Sequence, residues 1–422
     1  MIRSLTSGLF LFMMFLVVSL PTGSVFGINI KVVVFGVFLP IFLAYLLTAR
    51  EGLSLGDVIF LASVSTFFCL WSLIGVLNAE TESTQVLYKL RDMVATVLVA
   101  WLCIFVIRRG IVRAEKLITV VIYGAFAVSL TKLGLLAGSL FFGADPVEAT
   151  RTVFYEAPII TGLMPFGLIR MVFTPDLLGS FALFALLAPN ASGTRFGRAS
   201  TMVISTVLLA SAFVAFSRYI WFAYLVAIFA ALIVQRNWKA LAVVASTAVL
   251  AGAMFYDCFG AIFESRFLSS GTEISDVSRN MQSKVLIGEF KARPILGKGM
   301  GAHATGYLRD TPDERLYVYE LEWLAFLMQF GIAGMTGLLL LVGLSARDLV
   351  LAKHPAAPWM WVLFFVWLLA GFTNPYLTSS YAGGTFGLFM AMFHRMRNMS
   401  QSGESRTALL LPTLRQSPGG YT

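Results

Sequence analysis

The sequence predicts an all-α polytopic integral membrane protein with about twelve transmembrane helices. Of its 422 residues, 58% are hydrophobic and only 13% are charged, whereas soluble domains are about 45–50% apolar and about 25% charged. Apolar runs long enough to cross a bilayer recur along the whole chain. So few charged residues exclude a soluble protein. The net charge of +9 therefore concerns membrane sidedness and does not indicate nucleic-acid binding.

Each predicted span is an apolar run of roughly 20 residues, shorter or longer with tilt. The first follows Arg3 and resembles a signal peptide, but residues 21–29 lack an Ala-x-Ala cleavage site, which favours an uncleaved helix. The sixth is short and has a possible earlier start near Phe166. The twelve predicted spans cover about residues 5–20, 28–48, 57–77, 88–107, 116–141, 177–189, 200–216, 219–235, 239–256, 322–344, 358–373 and 377–394.

The basic residues predict the orientation, because positive charge is enriched in cytoplasmic loops. With a cytoplasmic N-terminus, both termini lie inside, and the membrane domain covers residues 1–399 with external loops at 142–176 and 257–321. The Ser-, Gly- and Pro-containing tail, residues 400–422, is predicted to be disordered. The fourteen basic residues on the cytoplasmic side are Arg3, Arg50, Arg108, Arg109, Arg113, Lys116, Arg195, Arg198, Arg236, Lys239, Arg347, Lys353, Arg395 and Arg397.

The long external loop has the composition of a functional site. It holds nine acidic residues, eight Lys or Arg residues, and His303, Tyr307, Tyr317 and Tyr319. The plainer alternative is an ordered, solvated cap. We therefore expect the chemistry of this protein on the external face of the membrane.

Three arginines are candidates for binding an anion on that face. Arg218 lies between two spans with almost no loop, and an arginine near the membrane usually faces a polar cavity or a partner. Residues 276–293 predict a short amphipathic helix on the outer membrane surface, with Arg279 and Arg293 pointing the same way. Guanidinium groups bind phosphate oxygens bidentately, so the three arginines could clamp a diphosphate. The alternatives are an arginine that reaches the lipid headgroups and an ordinary surface helix.

Two further features accompany these arginines. Glu320 and Glu322 lie at the mouth of the tenth span, where a carboxylate is a reasonable general base or simply neutralises an arginine. Gly297, Gly299 and Gly301 permit a backbone path close to another segment or a ligand, or form a flexible turn. The scattered Cys and His residues predict neither a disulfide framework nor a metal site.

The order of these motifs resembles the bacterial O-antigen ligase and O-antigen polymerase superfamily over roughly residues 165–395. The matching pattern is Arg218, then Ser278-Arg279, then Pro294-x-Leu296-Gly297-x-Gly299-x-Gly301, then Leu324-x-x-Leu327-x-x-x-Gly331-x-x-Gly334. The segment from Arg170 to Pro175-Asp176-Leu-Leu-Gly179 is similar to the family's Arg followed by Pro-Asn-x-x-Gly, with Asp176 in place of Asn.

The resemblance implies a metal-independent glycosyltransferase, without a cofactor, on the periplasmic face of the bacterial inner membrane. Such enzymes transfer a glycan from undecaprenyl diphosphate to a hydroxyl of an acceptor glycan or of lipid A–core. Arg218 and Arg279 match the arginines thought to hold the diphosphate, and Arg293 is the third candidate in this sequence. A chain-length regulator or a flippase is a candidate partner.

One departure from the family favours a polymerase of exopolysaccharide, capsule or O-antigen over a ligase. Ligases tend to have a His-Asn pair where this sequence has Glu320-Leu321, so the candidate base is Glu320, Glu322 or His303. The expected glycan or loop contacts are Arg151, Arg170, Tyr317 and Tyr319; Arg151 and Gly162 repeat an arginine–glycine spacing of polymerase loops. A secondary transporter is the alternative of another class, but no half-to-half repeat is evident. A purely structural membrane subunit is the last alternative.

Overall fold

The computed structural model describes residues 2–20, 24–25, 28–48, 52–143, 145–154, 160–163, 169–239, 246, 270–306, 315–345 and 352–401. Helices dominate these residues, in agreement with the predicted all-α membrane class. Six of the helices are long and apolar enough to cross a membrane. They are α1 (Ile2–Ser19), α2 (Ile30–Thr48), α3 (Leu55–Leu77), α4 (Ser83–Arg108), α5 (Ala114–Phe142) and α12 (Glu322–Ser345).

Shorter apolar helices occupy most of the other predicted spans. The ninth predicted span, residues 239–256, and the predicted tail lie almost wholly outside the described residues, so the count of twelve remains a prediction. The shorter apolar helices and the C-terminal helix are α7 (Asp176–Leu187), α9 (Arg198–Val214), α10 (Arg218–Val234), α13 (Ala357–Leu369), which continues as a 3₁₀ turn (Ala370–Phe372), and α14 (Ser380–Gln401).

Three more helices and two short strand pairs lie between the predicted spans or at their ends. The amphipathic helix predicted at residues 276–293 is the C-terminal part of a longer helix, α11. The sequence patterns did not predict the strands, which are too short to show an alternation. These elements are α6 (Pro146–Val153), α8 (Pro189–Ser192), α11 (Ser270–Ala292), the antiparallel pair β1 (Ser24–Val25) and β2 (Ile28–Asn29), and the antiparallel pair β3 (Ile160–Leu163) and β4 (Ile169–Val172).

Basic side chains join helix ends at one end of the bundle. Arg3 of α1 donates a hydrogen bond to the carbonyl of Gly110, which lies between α4 and α5. Arg109 donates to the carbonyl of Gly52 just before α3, and Arg395 of α14 pairs with Glu115 of α5. These basic residues are among those predicted to lie together on the cytoplasmic side.

The segment that precedes α12 packs back onto the opposite ends of the helices. The side chain of Asn78, just after α3, donates to the carbonyl of Lys298 at 3.1 Å. The side chain of Gln85 in α4 accepts from the backbone N–H of Leu316 at 3.1 Å. The predicted external segment is therefore anchored, in its described parts, to the start of α4 and the end of α3.

The segment 294–302, which we call the glycine segment, is exposed at residues 294–296 and buried from Gly297 to Ala302. Gly297, Gly299 and Gly301 have φ angles of +72°, +94° and +78°, which L-residues with a β-carbon rarely adopt. A β-carbon on Gly299 would overlap the backbone of Gly75 in α3. The glycines therefore serve close approach between backbones, and the alternative of a flexible turn is wrong.

The helix α12 is interrupted where it meets the glycine segment. Gly331 has φ 61° and ψ −171°, which are not helical angles. The N–H groups of Lys298 and Gly299 donate to the carbonyls of Met328 and Gln329, just before the break. The glycine segment thus satisfies carbonyl groups that the break removes from the helical pattern.

Candidate functional site

Three arginines from separate segments come together near one carboxylate, a group we call the arginine cluster: Arg170, Arg218, Arg279 and Glu320. Arg279 Nε donates to Glu320 Oε2 at 2.9 Å. Burial lowers the pKa of Arg170; Glu320 raises that pKa, whereas the charges of Arg279 and Arg218 lower it further. Glu320, Arg279 and Arg218 therefore all lie within electrostatic range of Arg170.

Arg170 and Arg218 are positioned by neighbouring turns. Arg170 lies on β4 and donates from Nε to the carbonyl of Ala215 at 3.4 Å, at the end of α9. Arg218 is the first residue of α10, two residues after Phe216, whose φ is +43°. A bulky residue in the left-handed region is strained, and such strain is concentrated at functional sites. Phe216 is fully buried, so packing holds this turn in place.

Arg279 projects from the face of α11 that packs on the rest of the protein. Gln282 and Leu286, on the same face, are buried, and Gln282 Oε1 accepts from the backbone N–H of Glu320 at 3.2 Å. Val277 and Met281, on the other face, are exposed. The sequence predicted these two faces, and the structure turns the polar face inward.

Arg293 lies apart from the arginine cluster. It directly follows α11 and comes fourteen residues after Arg279. Fourteen residues of α-helix correspond to an axial distance of about 21 Å between the two positions. Arg293 is exposed, and its charge acts on Glu80, between α3 and α4. The prediction that Arg293 shares a diphosphate with Arg218 and Arg279 therefore has no support in this geometry, and Arg170 takes the third place.

The candidate bases Glu320 and Glu322 occupy different environments. The Glu320 side chain is 24% exposed and that of its partner Arg279 is 28% exposed. Glu322 is 3% exposed and accepts from the N–H of Leu377 at 2.7 Å and from the hydroxyl of Thr378 at 2.5 Å. Its carboxylate is therefore engaged in holding the connection between α13 and α14.

The remaining predicted residues lie in the interior or outside the described side chains. The hydroxyl of buried Tyr317 donates to Asp92 Oδ2, and that of buried Tyr319 accepts from the N–H of Ala304, both at 2.8 Å. Neither ring offers surface to a glycan in this conformation. His303 is half-buried, and its Nδ1 has no hydrogen-bond partner among the described residues. The Arg151 side chain lies outside those described.

Tyr376 is a site residue that sequence reasoning missed. It lies between α13 and α14, is buried, and interacts electrostatically with Arg170. Burial, together with the charge of Asp176, raises its pKa, so the phenol stays protonated and can donate a hydrogen bond. A tyrosine at a helix connection carries no sequence signal of its own, because its neighbours come from distant segments.

An apolar cavity of about 120 Å³ lies among α3, α4, α12, α13 and α14. Its lining includes Trp323 and Thr378, which adjoin Glu322. Aromatic rings line much of the remainder, including Trp101, Phe326, Trp367 and Phe386. The cavity therefore runs from the polar connection at the start of α12 into the apolar bundle.

No protein-family model and no curated protein matches this sequence. Among the described residues, no group of three or more His, Cys, Asp and Glu side chains could hold a metal ion. The arginine cluster offers guanidinium donors for an anion and a carboxylate acceptor for a proton.

Proposed function

We propose that this protein is a membrane glycosyltransferase that polymerises undecaprenyl-diphosphate-linked oligosaccharide repeats. The observation that carries the proposal is the convergence of Arg218, Arg279 and Glu320 on Arg170. These residues come from a strand, a helix start and a surface helix. Folding has thus collected cationic groups at one place, where an anionic ligand is the natural complement.

The arginines suit a diphosphate leaving group. Planar guanidinium groups donate to phosphate oxygens in pairs and stay charged under all physiological conditions. As the sugar–phosphate bond breaks, negative charge grows on the diphosphate, and donors that are already in place stabilise it most. In this proposal Arg170, Arg218 and Arg279 provide that stabilisation.

Glu320 is the general base in this proposal. The acceptor hydroxyl oxygen forms a bond to the anomeric carbon, the bond from that carbon to the phosphate oxygen breaks, and undecaprenyl diphosphate leaves with the electron pair. The hydroxyl proton passes to the Glu320 carboxylate. Arg279 donates a hydrogen bond to Glu320 Oε2, so a diphosphate that draws Arg279 away leaves this carboxylate oxygen available to accept the proton.

The apolar cavity and the bundle ends support a lipid-linked substrate. The cavity offers an apolar, aromatic surface for part of an isoprenoid chain, and its lining includes Trp323, three residues after Glu320. Arg3, Arg109 and Arg395 join helix ends at the opposite end of the bundle, and positive charge is enriched on the cytoplasmic side. We therefore assign the arginine cluster to the periplasmic face of the bacterial inner membrane, with both termini cytoplasmic.

The test uses cells in which each variant replaces the native protein. Arg170→Ala, Arg218→Ala and Arg279→Ala should each reduce extracted polymer by about 10²–10³-fold, the usual cost of one lost transition-state donor. The matched controls are Arg293→Ala, at the far end of α11, and Arg91→Ala, an exposed arginine of α4. Variants of the cluster that reach the membrane and still make normal polymer would overturn the proposal.

The same extracts distinguish a polymerase from a ligase. Loss of a polymerase leaves single repeats on the lipid carrier, whereas loss of a ligase leaves long polymer on undecaprenyl diphosphate and unsubstituted lipid A–core. We expect single repeats, because Glu320 occupies the place at which ligases tend to have histidine. Free polymer together with bare lipid A–core would assign the protein to the ligases.

A transporter is the second candidate, favoured by the interruption of α12 at Gly331. Broken helices carry the binding sites of many transporters. Here, however, the backbone of the glycine segment already occupies carbonyls next to the break. In cells lacking the protein, a transporter of lipid-linked repeats would leave them protected from an impermeant periplasmic label, whereas a polymerase leaves them accessible.

A further inference from the structure

A buried ion pair joins α5 to α7 beside the arginine cluster. Lys132 Nζ lies 2.7 Å from Asp176 Oδ2, and the two side chains are 0% and 2% exposed. Removing two charges from water costs several kcal/mol per ion, roughly, so a buried pair contributes little net stability. Ionisable residues inside a membrane protein are therefore functional candidates.

The pair connects the two segments that carry Arg170 and Arg218. Lys132 Nζ also donates to the carbonyl of Ser211 in α9 at 2.8 Å. Asp176 Oδ2 also accepts from the N–H of Phe173 at 2.9 Å, just after β4. One ammonium and one carboxylate thus join the end of β4 to the last turn of α9. Arg170 lies on that strand, and Arg218 lies just beyond that helix.

A second contact of the same motif sets the position of α10. A β-carbon on Gly179, in α7, would overlap the hydroxyl oxygen of Tyr224 in α10. Tyr224 is buried, so the absence of a side chain at residue 179 lets α10 approach α7. Because Arg218 begins α10, the distance between α7 and α10 determines where this arginine stands relative to β4.

We infer that Lys132 and Asp176 are positioning residues, which hold Arg170 and Arg218 at the spacing that a diphosphate requires. This inference rests on the proposed function for its ligand, although the positioning itself is a matter of geometry. An ion pair suits the role because its hydrogen bonds are directional, whereas apolar side chains of similar volume fill space without fixing an orientation. Arg170, with its bond to Ala215, completes the connection between β4 and α9.

The first measurement is the distance between residues 170 and 218. Cysteines at these two positions, in protein whose Cys69, Cys103 and Cys258 are replaced by serine, carry spin labels for a pulsed distance measurement. With the ion pair intact we expect one narrow distance distribution. In the double variant Lys132→Met with Asp176→Asn, which removes both charges together, the distribution should broaden or shift. An unchanged distribution overturns the inference.

The second measurement is the binding of undecaprenyl diphosphate to the purified protein with all arginines present. The neutral double variant should bind at least tenfold more weakly while its thermal stability stays close to that of the native protein. The double variant Lys132→Gln with Asp176→Asn keeps hydrogen-bonding groups at both positions, so it should recover part of the affinity. If the Lys132→Met, Asp176→Asn variant does not fold, the affinity of this second double variant tests the inference in its place.

The matched control neutralises an ion pair at the other end of the same helix. Glu115→Gln with Arg395→Met removes the pair between α5 and α14 and should leave both the distance and the affinity unchanged. Equal losses in both double variants would show a general packing defect and overturn the positioning role. Native protein that fails to bind undecaprenyl diphosphate would refute the proposed function, whereas the distance measurement would still judge the inference.

Discussion

The start of α12 separates two charged regions that differ in solvent exposure and in hydrogen bonding. On one side, Glu320 and Arg279 form a partly exposed pair beside Arg170 and Arg218. On the other side, which we call the closed network, buried Glu322 faces Lys89 and Thr378. The two glutamates are only two residues apart, yet one can meet a ligand and the other cannot.

The difference teaches that burial and bonding, and not residue type, separate a reactive carboxylate from a structural one. Glu322 has accepted hydrogen bonds from Leu377 and Thr378, and Lys89 lies close enough for its charge to stabilise the carboxylate. Because Glu322 is also buried, an acceptor hydroxyl cannot reach its carboxylate from solvent. Glu320 keeps solvent access, as does its partner Arg279.

The largest expected effect is the loss of stability in Glu322→Gln. The substitution removes one of the two carboxylates whose charges act on buried Lys89, the other being Asp92, and leaving a buried charge short of its counter-charge costs up to about 3 to 5 kcal/mol. We expect a strong fall in the thermal unfolding midpoint of the purified protein. The double variant Lys89→Met with Glu322→Gln should recover part of that loss. Native-like stability in Glu322→Gln alone would remove the distinction between the two regions.

Gly299→Ala tests the close packing behind the closed network. The added β-carbon must sit at φ +94° and overlaps the backbone of Gly75. Overpacking together with a left-handed conformation costs roughly 2 to 4 kcal/mol. Gly288→Ala is the matched control, because it lies in α11 with no atom near its β-carbon position, where alanine is neutral or stabilising. Similar midpoints for the two variants would contradict this account of the glycine segment.

A smaller effect is expected from Lys298→Met, whose ammonium joins Glu80 and Glu289 at 2.6 and 3.0 Å. The loss of the bond to Glu289 costs about 1 kcal/mol. Lys298 lowers the pKa of Glu80; at Glu289, burial raises the pKa, but the bonds from Lys298 and Thr305 outweigh it and the pKa is lowered.

The pH dependence of that variant has a definite sign. A carboxyl whose pKa is lowered by folding contributes stability above its ordinary pKa of 4.5, and this contribution is lost as the pH falls through the lowered value. The difference in unfolding midpoint between native protein and Lys298→Met should therefore be full at pH 7 and shrink below about pH 4.5. A difference that grows towards acid pH would contradict the assigned pairing.

The smallest effect on stability is expected from Glu320→Gln. Both partners of its ion pair are about one quarter exposed, and exposed pairs contribute less than about 1 kcal/mol. The unfolding midpoint should stay close to the native value while polymer formation falls strongly. If Glu320→Gln instead lost as much stability as Glu322→Gln, Glu320 would belong to the structural side of the comparison.

Several features of the site were predictable because they depend on local sequence. Arg218 stood out as a charged residue between two apolar spans, and Arg279 as part of an amphipathic helix whose two faces followed from helical periodicity. The glycine pattern of residues 297–301 indicated an unusual backbone, and the structure has three positive φ angles there. The motif around Asp176 was recognised as a pattern, although its contacts were not.

The sequence by itself determined the membrane class, the positions of most helices and the order of the polar motifs along the chain, because these follow from composition and from runs of neighbouring residues. Only the tertiary structure decided that Arg170 and not Arg293 accompanies Arg279, that Glu322 is sealed inside, and that Lys132 meets Asp176. The reason is physical. Each of these outcomes depends on contacts between segments far apart in the chain, such as Glu322 with Leu377, which no local pattern records.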